Sequence, residues 1–152
     1  MSAEQSYFTQ MHIPPFSIFS ALSELLVTAG VFFVVRRNWT RRTFPFALFI
    51  GVALFEGMVN VMYMANRASE ASEPNAATPA LPLAMKIFFA AHGLLSLLAY
   101  LVFVVLGVIA HQEQQGQRWF FRERPALTWT FLTVWTISIV SGEVIFALRY
   151  LM

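Results

Sequence analysis

Four ionisable side chains, Glu24, Glu56, His92 and Glu143, stand inside stretches that otherwise hold almost nothing but apolar residues. Such groups are expensive in hydrocarbon, about 2.5–3.5 kcal/mol for an aspartate at a helix centre on insertion scales. They are therefore expected to face a bundle interior and to mark function. Three carboxylates and an imidazole fit more than one chemistry. Carboxylate-bridged di-iron sites in helical bundles draw on this ligand set, although the usual Glu-x-x-His pairs are missing, since Val59 follows Glu56 and Phe146 follows Glu143 at that spacing. The same groups would relay protons, a glutamic acid handing its proton to a neighbour. Finally, they would serve as a hydrogen-bonded plug tying helices together, at about 0.6–2 kcal/mol per contact. A metal site at Glu24, Glu56, His92 and Glu143, a proton path and a plug all remain open at this level.

A haem draws on the histidines. His92 and His111 lie nineteen residues apart on one helix, about 28 Å at helical rise, so they do not share one iron. His12 falls on the same side as His92 but just ahead of the first helix, and would have to fold inward to complete an axial pair. His92 and His12 are thus the candidate cofactor ligands. Met11, Met58, Met62, Met64 and Met85 cluster towards the same end, and thioether with imidazole suits Cu(I), as it also suits flexible packing. Copper, iron and haem are the cofactors in view.

The elements that carry these residues follow from composition. Of 152 residues, 58% are hydrophobic and 12% charged, and the mean hydropathy is +0.63, against about a quarter charged in soluble domains. With no cysteine, disulfide staples, thiolate metal sites and dithiol chemistry are excluded. Four apolar stretches, 15–35, 44–64, 83–110 and 126–148, are each long enough to cross about 30 Å of hydrocarbon. The fold class predicted is all-α: one domain over 1–152, an integral membrane four-helix bundle. The first stretch lacks a basic leader and an Ala-rich cleavage site, and reads as a retained helix.

Counted from their outer ends, Glu24 is about nine residues deep, Glu56 and His92 about eight and Glu143 about six, roughly 9–14 Å. The four are expected to form one layer. Around them, Ser17, Ser20, Glu24 and Thr28 form a stripe, Glu56 shares a face with Asn60, and His92 is followed at helical spacing by Ser96 and Tyr100. Asn60, Ser96 and Tyr100 are the supporting polar residues. On the fourth helix Thr136, Val140 and Glu143 share a face, with Trp135, Ser138 and Gly142 nearby.

Arg36, Arg37, Arg41 and Arg42 surround Trp39 in the first connection, and Arg118, Arg122 and Arg124 lie among Trp119, Phe120 and Phe121 in the third. The opposite side holds Arg67, Lys86 and Arg149, offset by Glu4, Glu70 and Glu73. The positive-inside rule then puts both termini on the outer, periplasmic or extracellular, side. It also accounts for the net charge of +2 without nucleic acid as a partner. The outer loop 65–82, rich in Ala, Ser, Glu and Pro, is expected to be an exposed connector.

Four segments carry a resemblance. "HIPPFSIFSALSELLVTAGVFFVVRR" from His12, "RNWTRRTFPFALFIGVALF" from Arg37, "FFAAHGLLSLLAYLVFVVLGV" from Phe88 and "TFLTVWTISIVSGEVIFALRYLM" from Thr130 resemble the small four-helix bacterial membrane family associated with haem-copper oxidase assembly (CtaM-like). What the resemblance implies is a respiratory-chain setting in the bacterial inner membrane. It carries over His92 alone. The expected function is an accessory or assembly protein of a respiratory complex, holding a metal or haem at the outer polar layer near His92 and acting as a helper rather than an enzyme, partnered by the bilayer and by a larger membrane complex or a second copy. The alternatives are a permanent structural subunit and a membrane enzyme with a Glu/His metal centre.

Overall fold

The computed structural model describes residues 15–72 and 82–150, with His12, Met11 and most of the outer connection outside them. Helix α1 runs over Pro15–Arg41, α2 over Phe46–Ser72, α3 over Leu83–Gln115, the single turn α4 over Phe120–Glu123 and α5 over Pro125–Tyr150. Among the described residues there is no strand. All four long helices are long and apolar enough to cross a bilayer, and the chain is a multi-pass membrane protein. Between 17% and 28% of each span's most apolar window is buried by the rest of the fold. Leu22, Leu26, Leu54, Val61, Leu83 and Leu94 are among the large apolar side chains left exposed, as suits a hydrocarbon solvent.

Every long helix outruns its predicted apolar stretch. α1 continues through Arg36, Arg37 and Trp39, α2 continues over 65–72 where a loop was expected, and α3 reaches Gln115. The physical reason is that an apolar run measures hydrocarbon thickness. A helix stops only when its backbone is interrupted. Here the interruptions are local. Arg42 adopts a left-handed φ of 52° just past α1, and Pro45 offers its carbonyl to Phe49 N–H at 2.9 Å. Pro82 accepts from Met85 and Lys86 at the start of α3, and α3 closes where Gly116 and Arg118 donate to Glu113 O at 3.0 Å. Pro125, with no N–H to leave unpaired, opens α5.

The core is divided by height. At the arginine-rich end it is apolar and aromatic: Phe49, Phe103, Phe131 and Trp135 are buried, with Phe103 edge-on to Phe49 at 5.2 Å and to Trp135 at 5.6 Å. Phe49 comes so close to Gly107 that a Cβ there would overlap its ring. Three polar fasteners close this end. Arg124 grips Glu113 through two bonds of 2.8 Å. Fully buried Asn38 accepts from Phe121 N–H at 3.2 Å, and the Gln114 side-chain oxygen accepts from Phe44 N–H. Towards the opposite end the fully buried positions become Ser23, Glu56, Val59 and Ser138.

Candidate functional site

The face that α5 turns inward is set by its buried residues Thr128, Phe131, Trp135 and Ser138, spaced by three and four. Continuing that spacing leads to Ser141 and Gly142. Thr136 and Val140 are exposed, and the Thr136 hydroxyl bonds back to Leu132 O at 2.8 Å. The stripe predicted through Thr136, Val140 and Glu143 therefore does not face inward as a unit. The bulky aromatic anchors choose the face, and Glu143 is left half-buried at its margin.

Gly142 is where two of the candidate residues meet. A Cβ on it would lie 3.0 Å from Glu24 Oε2, 3.1 Å from His92 Cε1 and 3.5 Å from His92 Nε2. The absence of a side chain on α5 thus opens the gap in which an α1 carboxyl and an α3 imidazole approach each other. The ring is held from behind. His92 Nδ1 is 2.8 Å from Ser141 Oγ, and the Ser141 hydroxyl donates to Ser138 O at 2.7 Å. Since that hydroxyl proton is committed, Ser141 Oγ accepts, and Nδ1 carries the hydrogen. In the neutral ring Nε2 then holds the lone pair and lies on the Glu24 side.

Glu56 is buried, and its Oε1 accepts from Asn60 Nδ2 at 2.9 Å, while the same amide also bonds to the Glu56 carbonyl at 2.9 Å. Glu56 Oε2 and Glu143 Oε1 are buried without a hydrogen-bond partner. Glu24 lies within electrostatic reach of both Glu56 and Glu143. Ser96 lines, with Glu56, Ala99, Trp135, Ser138 and Ile139, a gap too narrow for a water molecule. Tyr100 ties α3 to α2 by donating to Ala53 O at 3.1 Å, and Trp135 Nε1 donates to Thr28 Oγ1 at 3.2 Å.

As a metal centre the arrangement is thin: among the described residues no three His, Cys, Asp or Glu side chains stand together in a way that could hold an ion. Glu24 and His92 are two donors facing one small gap. That gap is narrow, since even a Cβ on Gly142 would meet Glu24 Oε2 at 3.0 Å and His92 Cε1 at 3.1 Å. Met58, Met62 and Met64 are exposed on α2, and His111, at the arginine-rich end, stacks on Phe46 with ring centres 3.8 Å apart. His12 lies outside the described residues. The residue that sequence reasoning passed over is Ser141. A serine in a membrane helix commonly satisfies itself on a carbonyl one turn back, as this one does, so only its neighbour across the interface reveals its role. No family model matches the chain, and neither a curated protein nor a solved structure is significantly similar to it.

Proposed function

We propose that this chain is a non-catalytic accessory protein of the bacterial inner membrane that helps assemble or stabilise a respiratory complex of the haem-copper oxidase type, its termini on the periplasmic side. The observation that carries the reading is Glu143. Glu143 is only half-buried, with Val140 and Val144 exposed beside it, and its inner oxygen has no hydrogen-bond partner among the described residues; the part of the carboxyl left at the lipid-facing margin calls for a polar group from a neighbouring membrane helix. The lightly buried spans leave ample surface for one. The resemblance of the four quoted segments supplies the respiratory setting.

Deleting the gene should lower haem-copper oxidase activity in isolated membranes. Wild-type protein should restore it, and Glu143→Ala should restore less although it reaches the membrane at the same level. Deletion membranes that respire through that oxidase at the wild-type rate would overturn the proposal. A second reading is favoured by one observation, the Glu24 carboxyl and the His92 ring bordering the same small gap at Gly142: the pair exchanges a proton within the membrane. Dicyclohexylcarbodiimide, which couples to carboxylic acids in apolar surroundings, should then label Glu24, and His92→Ala should change the rate. An unreactive Glu24 counts against this reading.

A further inference from the structure

The arginines of the basic end fall into two groups. Beyond α3, Arg124 holds Glu113 at 2.8 Å and Arg118 lies 3.4 Å from Glu123, while exposed Arg122 has no ion pair among the described residues and lines no cleft with other arginines. On α1 no carboxylate among the described residues pairs with Arg36, Arg37 or Arg41. Arg37 is positioned by its Nε donating to Thr43 Oγ1 at 3.1 Å, which leaves its two terminal nitrogens unused. Phe33, Arg36, Arg37, Thr40 and Arg41 line a cleft of about 240 Å³. Three guanidinium groups around one cleft, uncompensated by acid, match a phosphate, whose oxygens take forked N–H pairs.

What lies next to the cleft narrows the source. Up the same face of α1, at spacings of three and four, stand Phe33, Ala29, Leu26 and Leu22, all exposed. Charged cleft and apolar track meet end to end, as the headgroup and acyl chain of one amphiphile do. We propose that this face of α1 is a site for an anionic glycerophospholipid, its phosphate held by Arg36, Arg37 and Arg41 and an acyl chain lying along Phe33, Leu26 and Leu22.

The test is native mass spectrometry of the full chain released from detergent with phosphatidylglycerol, phosphatidylcholine or inorganic phosphate. Phosphatidylglycerol adducts should survive at activation energies that strip phosphatidylcholine. Arg36→Gln and Arg41→Gln should each weaken retention about fivefold, the effect of one basic residue at an anionic surface, whereas Arg118→Gln, which removes the same charge elsewhere, should not. Far-UV circular dichroism checks that each variant keeps its helices, and Arg36→Lys serves where the glutamine variant does not fold. Equal retention of both lipids would overturn the proposal, as would equal loss in Arg118→Gln. Displacement of the lipid by millimolar inorganic phosphate would also overturn it, because the site would then be one for free phosphate.

Discussion

Replacing Gly107 by alanine measures how tightly the aromatic core is closed. The added methyl would fall within the ring of Phe49, and that ring has little freedom to withdraw. It is 1% exposed and flanked by Phe44 at 5.5 Å and Phe103 at 5.2 Å. Forcing one methyl into such packing costs about 1–3 kcal/mol. Alanine also favours a helix over glycine by up to about 1 kcal/mol, so Gly107→Ala alone would understate the clash. Gly51→Ala and Gly93→Ala supply the correction, since nothing lies within 4 Å of either new methyl. The difference between Gly107→Ala and these two controls should be about 1–3 kcal/mol of destabilisation, read from reversible unfolding in mixed micelles of increasing SDS fraction followed by circular dichroism. Phe49→Leu in the Gly107→Ala background should recover part of it, because the shorter side chain vacates the overlapping volume. Three alanine variants that unfold at the same SDS fraction would refute the close approach of α2 and α3 at this height.

Asn38→Ala strands the buried Phe121 N–H and should cost about 1–3 kcal/mol, measured in the same titration. Thr28→Val keeps the volume but removes the acceptor of Trp135 Nε1. It should destabilise by about 1 kcal/mol and alter the indole fluorescence, and a Trp135→Phe background should abolish the difference. Gly142→Ala inserts a methyl 3.0 Å from Glu24 Oε2 and should displace the ¹⁵N resonance of His92 Nε2 more than Gly93→Ala does, with little change in stability. Converting Arg36, Arg37, Arg41 and Arg42 to lysine should leave orientation intact in a protease-accessibility assay, whereas conversion to glutamate should disturb it.

The four spans were legible because hydrocarbon leaves a mark that no soluble fold needs. Helix ends were not legible from hydropathy. Arg36 to Arg41 and the segment 65–72 are helical although too polar for lipid, since water tolerates a helix as readily as a coil. Within the site, the approach of Glu24 and His92 was foreshadowed by their matched depth, and the Glu56–Asn60 bond by their spacing of four. Rotation of α5 was the missing quantity. Stripes of polar residues compete with stripes of aromatic ones for the inward face, and Phe131 with Trp135 won, turning Thr136 and Val140 out and bringing Ser141 and Gly142 in. Glycines at 107 and 142 read alike in a sequence. Only a neighbour three helices away in the chain or one distinguishes a packing contact from an opening.

The uneven layering of the interior distributes stiffness along the bundle like a pair of tongs. Rings and fasteners lock the arginine-rich end, whereas towards the far end His92–Ser141 bridges two helices and Glu56 bonds only within its own helix, so fewer contacts resist local opening there. Amide exchange in lipid nanodiscs should accordingly be slowest in Phe103–Ala110 and faster in Phe89–Ser96 of the same helix. A guest helix entering at the far end would spread the prongs and leave the pivot unstrained.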